Sequence, residues 1–236
     1  MTREEINKVT EKEIYSMDDL KAVCAYLRGD NGCPWDRVQT HESTRANLIE
    51  ETYEVVEAID TADSKLMREE LGDLLLQVVF HAAMEEEEGR FDIYDVIHDV
   101  TDKLVRRHPH VFGDVDADDP EKAIDAWEAA KGVEKKDRKT VVDNMNAVPP
   151  SLPALMRAQK VLKKAIKGGY DATSDMKNGA ASLRALADAI EGGEIAYNGS
   201  LAADSLLAIC AYAQAAGADS EELLTKRVNG FIESYK

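Results

Sequence analysis

Two groups of acidic residues, separated by a short polar break, are the part of this 236-residue chain best suited to chemistry. The first is Glu50-Glu51-x-x-Glu54, the second is Glu70-x-x-Asp73, and Thr61-Ala62-Asp63 lies between them. Residues three apart share one face of a helix. In an antiparallel helical hairpin centred near residue 62, Glu51 lies level with Asp73, and Glu54 lies level with Glu70. Four carboxylates would then converge between the two helices.

A cluster of this kind must take up protons, pair with bases or bind cations, because packed carboxylates repel one another among apolar neighbours. Ligation by oxygen alone suits Mg²⁺, or Mn²⁺ as a substitute, and the absence of His and Cys from the candidate ligands argues against zinc. The alternative is that these acids are the solvated face of two amphipathic helices, as in most Glu-rich helical stretches. On spacing alone, both interpretations stay open.

The composition excludes several classes of protein. A hydrophobic content of 44% without a long uncharged apolar run predicts a soluble globular protein with no membrane span. The net charge of -17 disfavours general binding to nucleic acid. Cys24, Cys33 and Cys210 lack metal-ligand spacing, and no signal segment is visible at the N-terminus. The expected location is therefore the cytoplasm.

The elements that must position the acids are all predicted to be helices, since no alternating β-rich run of convincing length occurs. Helix start and stop signals predict helices over 16–29, 44–60, 64–88 and 92–107 and from 119 onward, with a loop at 31–36. Further helices are expected near 152–167, 178–191, 200–216 and 219–235. A charged stretch followed by Pro149-Pro150 predicts a boundary, with a first domain over 1–131, a linker over 132–152 and a second domain over 153–236.

Motifs on both sides of the acids occur in a recognisable order. Gly32-Cys33-Pro34-Trp35-Asp36 comes before them, and Arg107-His108-Pro109-His110-Val111-Phe112 comes after them. With these motifs the chain resembles the MazG family of nucleoside triphosphate pyrophosphohydrolases. The resemblance covers residues 17–131 and continues through 151–160, a segment similar to the one that joins the two copies in tandem members of the family.

The resemblance implies an all-α helical bundle with a metal-binding hairpin, which cleaves nucleoside triphosphates to monophosphate and pyrophosphate with Mg²⁺ and so cleans or balances the nucleotide pool. Four acids match the family's metal ligands, and Glu50 matches the leading acid, which would support the ligands or position water. The matching metal ligands are Glu51, Glu54, Glu70 and Asp73. The matching substrate-binding residues are Lys103 and Arg107 for the triphosphate, both also assigned to catalysis, with Lys131 as a further basic partner and Trp127 for the base.

Each of these basic or aromatic residues has a plainer structural interpretation. Lys103 and Arg107 share one helix face and could be simply solvated. Trp127 could be a core or interface aromatic residue. Trp35 lies in the loop before the hairpin, where it could cover the nucleotide or pack as a plug. His108, His110 and Cys33 are expected to be structural.

The second half departs from the acidic pattern. Leu201-x-x-Asp204 stands where a second Glu-x-x-Asp would be, residues 182–188 lack the glutamate triplet, and Gly230 and Ser234 stand in place of the basic pair. This half is therefore predicted to be a degenerate second MazG-like unit that holds neither metal nor triphosphate.

Three hypotheses of function follow. The first is hydrolysis of nucleoside triphosphates by the first unit, and the second is an enzyme of the same fold that acts on another pyrophosphate-linked nucleotide. The third is a catalytically inactive helical interaction or regulatory protein. A homodimer through the first domain is expected, because a helical hairpin with a broad apolar face often completes its bundle with a partner chain.

Overall fold

The computed structural model describes residues 2–134, 140–193 and 199–235, and every regular element in these ranges is a helix, which confirms the predicted all-α fold. The chain divides into two compact units, residues 1–131 and 132–236. The first holds α1 (Arg3–Thr10), α2 (Met17–Arg28), α3 (Pro34–Arg37), α4 (His41–Asp60), α5 (Ser64–Glu87), α6 (Ile93–Arg107), α7 (Pro109–Phe112) and most of α8 (Pro120–Glu134). The second holds α9 (Val141–Asn146), α10 (Ala154–Lys167), α11 (Ala172–Glu191), α12 (Gly199–Ala215) and α13 (Ser220–Glu233), with side chains of α11 described from Gly179 onward.

Helices α4 and α5 form the predicted antiparallel hairpin. Thr40 begins α4 through a capping box with Ser43, which satisfies free backbone N–H groups of the first turn. The connection is Thr61-Ala62-Asp63, where Ala62 adopts the left-handed conformation with φ of 52°. Asp63 then begins α5, because its carboxylate accepts hydrogen bonds from the N–H groups of Lys65 and Leu66 at 2.9 and 3.1 Å.

The core of the first unit lies at the far end of this hairpin from the turn. Small and medium apolar side chains of α5 pack there against α2 and the start of α6. The buried members are Cys24, Val79, Phe80, Ala82, Ala83, Met84 and Ile93. In contrast, the apolar side chains near the acids stay partly open, with Ile59 59% and Leu71 49% exposed. The acid-bearing half of the hairpin therefore has little core of its own.

A buried arginine joins α2 to α5 and to the loop before the hairpin. The guanidinium of Arg28 binds both carboxylate oxygens of Glu87, at 2.6 and 2.9 Å. It also donates to the backbone carbonyls of Asp36 and Gln39 at 2.9 and 3.2 Å. A planar guanidinium can make all these contacts at once, so this one side chain fixes the position of the loop that carries Trp35.

The second unit is tied together by a buried amide. Gln159 on α10 donates to the carbonyl of Ala218 and accepts from the N–H of Ser220, both at 2.8 Å. These bonds fix the α12–α13 turn against α10. Gly179 on α11 faces Ala208 on α12 so closely that a Cβ on the glycine would lie 2.2 Å from the alanine Cβ. Close packing of small residues thus holds these two helices together.

Two short helices differ from the sequence expectations. Residues 34–37 of the predicted loop form α3, which begins at Pro34. Residues 141–146 of the predicted linker form α9, which packs on α10, whereas 135–139 lie outside the described residues. In the described ranges no single helix is long and apolar enough to cross a membrane, and α12 with α13 meets that test of length and composition only as a pair bent by 108°.

Candidate functional site

Three carboxylates of the α4–α5 hairpin converge. Glu51, Glu70 and Asp73 each present an oxygen, and these oxygens lie within 4.8 Å of one another. Glu70 is buried, with 9% of its surface exposed, whereas Asp73 is open to solvent. This is the one such group of potential ligands in the described parts of the chain. The arrangement arises because the short turn sets the register of two helices that each carry acids three residues apart.

The electrostatics of the group follow the two predicted pairs. Burial raises the pKa of Glu51 above its ordinary value, and the charges of Asp73 and then Glu54 raise it further. Burial likewise raises the pKa of Glu70, and the largest charge effect on it comes from Glu54. Among the charged neighbours, the acid predicted to lie level with each glutamate thus has the largest effect on its pKa. Carboxyl groups in this state favour a bound proton or a bound cation.

The neighbouring acids surround this group. Glu54 is partly buried, raises the pKa of Glu51, and lies outside the set of three whose oxygens converge. Glu50 is exposed. Glu57 was not among the residues selected from the sequence, yet its charge also raises the pKa of Glu70. Its spacing of three from Glu54 continues the Glu-x-x-Glu pattern and was the signal that could have identified it.

A second cluster combines an aromatic ring with two cations. The Arg107 guanidinium lies 5.5 Å from the centre of the Trp127 ring, and the Lys131 ammonium lies 4.0 Å from it. Lys131 also pairs with Glu128 at 3.0 Å. Both are cation–π contacts, and the one made by Arg107 joins the end of α6 to α8, whereas the one made by Lys131 lies within α8. The structure therefore brings together three of the residues predicted to bind substrate.

The other two predicted substrate residues, Lys103 and Trp35, make no contact with the Trp127 ring among the contacts that the structure describes. Lys103 is exposed on α6. Trp35 is 62% exposed on α3, and its carbonyl accepts a hydrogen bond from the Gln39 amide at 3.0 Å. The exposed ring is not a packed plug, so of the two interpretations of Trp35 the plug is wrong. Arg28 fixes the backbone next to Trp35 through its hydrogen bonds to the carbonyls of Asp36 and Gln39.

The residues expected to be structural make local contacts. His108 Nδ1 donates to the Leu104 carbonyl at 2.6 Å, and its ring lies 5.6 Å from that of His110. The N–H of Cys33 donates to the Leu27 carbonyl at 2.7 Å, which closes the turn after α2. Gly32 is required in that turn, because a Cβ there would lie 2.1 Å from the Tyr26 carbonyl oxygen.

In the second unit, Asp204 is the residue predicted from the sequence to stand in place of an acidic ligand. It lines an open cavity of about 270 Å³ together with Ser182 and with apolar residues of α10 and α12. Leu201, at the other ligand position, carries no carboxylate. A single acid in this position does not form a ligand set for a divalent ion.

Comparison with known proteins relates the chain to enzymes of nucleotide metabolism. A family model described as the MazG nucleotide pyrophosphohydrolase domain matches residues 39–112, which include both acid-bearing helices. The chain is 46% identical over 159 residues to the nucleoside triphosphate pyrophosphohydrolase of Escherichia coli (strain K12), covering 67% of this chain and 60% of that protein. It is 38% identical over 222 residues to the nucleoside triphosphate pyrophosphohydrolase/pyrophosphatase MazG of Thermotoga maritima, covering 93% of this chain and 84% of that protein.

A further relative shows that the shared region occurs within longer proteins. The chain is 48% identical over 154 residues to the protein YabN of Bacillus subtilis (strain 168), a match that covers 65% of this chain and 31% of YabN. The chain thus spans about a third of YabN and three fifths of the Escherichia coli relative. The Thermotoga maritima match includes residues of both units, because it extends over 93% of the chain.

Proposed function

This chain belongs to the MazG family, and from that premise we propose that it hydrolyses nucleoside triphosphates to nucleoside monophosphate and pyrophosphate. The observation that carries the proposal is the convergence of Glu51, Glu70 and Asp73 within 4.8 Å. The names of the Escherichia coli and Thermotoga maritima relatives support the same reaction. The proposed role is to clean or balance the nucleotide pool of the cytoplasm.

The donor set fits a hard divalent cation. All the candidate ligands are carboxylates, one of them is buried, and their mutual repulsion favours a bound cation. We therefore assign Mg²⁺, or Mn²⁺ as a substitute, to Glu51, Glu70 and Asp73, with Glu54 as the fourth ligand. When bound, such an ion supplies positive charge to the phosphate oxygens during phosphoryl transfer.

The remaining residues would bind and orient the substrate. Arg107 and Lys103, one turn apart on α6, would neutralise the triphosphate. Trp127 would stack on the base, and Lys131 would interact with the nucleotide after leaving the face of that ring. The exposed Trp35 would cover the bound nucleotide. Glu50, next to a ligand, would orient the ligand shell or a water molecule. Stacking depends weakly on the identity of the base, which suits a broad substrate range.

A homodimer through the first unit is part of the proposal. Apolar side chains of the acid-bearing half, including Ile59 and Leu71, are about half exposed. A second copy that covers them would complete the bundle around the candidate metal centre. Light scattering of the purified protein at micromolar concentration tests this, and a monomer mass would contradict it.

The decisive experiment separates products after incubation with each ribo- and deoxyribonucleoside triphosphate and Mg²⁺. Monophosphate with pyrophosphate is expected, whereas diphosphate with phosphate would contradict the proposed bond cleavage. Glu54→Gln and Asp73→Asn should each lower kcat by about 100-fold or more, since even residues that only support metal ligands contribute 10- to 100-fold. Asp60→Asn is the matched control, because it removes an exposed carboxylate from the end of the same hairpin. No product with any nucleotide, with Mg²⁺ or Mn²⁺, would favour the helical interaction protein instead.

A further inference from the structure

A pair of histidines connects the open ends of the two helices that carry the acids. His41 is the first residue of α4, and His81 lies near the end of α5. Their Nδ1 atoms are 2.7 Å apart, and the two rings meet edge to edge, with centres 5.0 Å apart and planes 6° apart. This distance is that of a hydrogen bond, so one Nδ1 carries a proton and the other accepts it.

The two members of the pair have different surroundings. His41 Nε2 lies 2.7 Å from a carboxylate oxygen of Glu85, an ion-pair contact without hydrogen-bond alignment. Glu85 also binds Arg90. On the other side of the pair, His81 Nε2 is buried and has no hydrogen-bond partner in the described chain. A charge on His41 is thus compensated by Glu85, whereas a charge on His81 is not.

Other charged groups near the pair are themselves engaged or more exposed. Glu42 follows His41 on α4 and responds electrostatically to it. On the α2 side, Arg28 is bound to Glu87, six residues after His81 on α5. Neither Glu42 nor Glu87 provides a carboxylate partner for His81 Nε2. Glu85 contacts the Nε2 edge of His41, away from the Nδ1 edge that meets His81, so the imidazoles and the carboxylate do not face a common point where a metal could bind.

The position of the pair relates it to the acids. The three-residue turn closes one end of the hairpin, and the histidine pair closes the other. His81 lies eight residues after Asp73, or about 12 Å along α5, and His41 lies ten residues before Glu51, or about 15 Å along α4. The candidate metal centre is therefore held between two fixed points, and its carboxylates keep their spacing only while α4 cannot slide or splay relative to α5.

We propose that His41 and His81 form a positioning clamp for the carboxylate cluster, closed when the pair holds no more than one extra proton and opened when both imidazoles are protonated. Double protonation places two N–H groups against each other across 2.7 Å, which removes the bond and adds repulsion. The inference rests on the proposed function only in taking the cluster to bind a divalent ion.

The direction of the pH effect follows from the environment of His81. Burial and the neighbouring His41 lower the pKa of His81 below its ordinary value of 6.5. A histidine with a lowered pKa in the folded state stabilises the fold fully above the unfolded pKa. That contribution declines as the pH falls below about 6.5 toward the folded pKa. The clamp is therefore closed at neutral pH and opens as the pH falls through the lowered pKa of His81.

Two substitutions in the full-length chain separate positioning from simple loss of packing. Asparagine at position 81 can place an amide near the Nδ1 position and hydrogen-bond to His41 without titrating, whereas alanine removes the bond. The affinity for Mg²⁺ would be measured by calorimetry near pH 7.5 and near pH 5.5. His81→Ala should weaken binding about 10-fold near pH 7.5, the usual effect of losing a residue that orients a ligand shell. His81→Asn should keep the parent's affinity for Mg²⁺ near pH 7.5. Near pH 5.5 its affinity should decline less than that of the parent, because both proteins contain the same carboxylates and only the parent contains His81.

A third variant and a spectroscopic readout make the outcome decisive. His98→Asn changes an exposed histidine of α6 and should match the parent at both pH values. If His81→Ala and His81→Asn also match the parent, the clamp is refuted. Imidazole ¹⁵N NMR of the parent protein tests the pair without any variant, since two imidazoles that share a hydrogen bond take up their protons in coupled steps. Independent titration of His41 and His81 would refute the clamp even if His81→Ala failed to fold. Coupled titration without any Mg²⁺ binding would refute the metal centre and its positioning, but leave the histidine bond intact.

Discussion

At the scale of single residues, the acidic cluster opposes folding in the absence of a cation. The pKa values of Glu51 and Glu70 are raised above 4.5, so the fold favours their protonated forms. A group of this kind contributes stability that is fully present below the unfolded pKa and is lost as the pH rises through the folded pKa. Near neutral pH the metal-free protein therefore retains uncompensated repulsion between its carboxylates.

Glu51→Gln should raise the melting temperature of the metal-free protein near neutral pH by a few degrees, because it removes a charge from this cluster. The same substitution should remove most of the stabilisation by Mg²⁺, which in the parent rises with ion concentration by mass action. Thermal unfolding with a chelator, and then with increasing Mg²⁺, measures both effects. A lower melting temperature with an undiminished response to Mg²⁺ would exclude Glu51 as a ligand. Asp60→Asn serves as the control for a general change in charge.

Two adjacent arginines on α6 provide a second prediction at this scale. Arg107 lies over the Trp127 ring, whereas Arg106 binds Asp102 at 2.8 Å on the exposed helix surface. Arg107→Gln should raise KM for nucleoside triphosphates by about 10-fold or more, because charged hydrogen bonds contribute roughly 1.5–3 kcal/mol. Arg106→Gln should change KM by less than about two-fold, because exposed ion pairs contribute little. Steady-state kinetics of both variants decides the matter, and equal effects would remove Arg107 from the substrate site.

Single residues also show how far the sequence can lead. The acids could be registered against each other because both lie on long helices joined by a recognisable break, and helix geometry then fixes their neighbours. Arg28 and the pair of His41 with His81 had no such signal. Their partners lie 59 and 40 residues away along the chain, so only tertiary packing brings them together. Local periodicity contains no information on those contacts.

At the scale of elements, capping residues predicted where the long helices begin, but the sequence did not predict the two short helices. Ser16 and Asp92 cap α2 and α6 as expected from their sequence positions. The four residues of α3 and the six of α9 are too few to show a hydrophobic period. These short helices form because tertiary contacts hold them, as when α9 packs against α10.

The turn between α2 and α3 gives a prediction about element packing. Gly32→Ala should lower the free energy of unfolding by about 1–3 kcal/mol, because its Cβ would overlap the backbone oxygens of Tyr26 and Leu27, which cannot move as a flexible side chain does. Gly72→Ala is the control, since the glycine lies within α5 and a Cβ there meets nothing within 4 Å. Alanine should stabilise α5 by about 0.5–1 kcal/mol. Denaturant unfolding measures both, and an unchanged Gly32→Ala midpoint would show that the turn relaxes freely.

At the scale of the whole molecule, the overall negative charge and a local group of basic residues have opposite effects on the binding of anions. The net charge of -17 opposes binding of polyanions, yet Arg107 and Lys131 gather on one aromatic ring in the first unit. A triphosphate can thus be attracted locally while long-range repulsion is screened within about 8 Å at physiological salt. The described residues of the second unit have no convergent acids, and Gly230 and Ser234 stand where the basic pair was expected, so the proposed chemistry is assigned to the first unit.

This division of labour yields a prediction for the second unit. Asp204 stands where the tandem pattern would place a ligand, but Leu201 occupies the companion position, and one carboxylate binds a divalent ion weakly. Asp204→Asn should therefore leave the Mg²⁺-dependent rise in melting temperature unchanged, whereas Asp73→Asn, the same chemical change in the first unit, should abolish it. Thermal unfolding of both full-length variants across a Mg²⁺ titration makes the comparison. A reduced response in Asp204→Asn would show that the second unit still contributes to ion binding, and the degenerate copy would then have to be regarded as a second functional site.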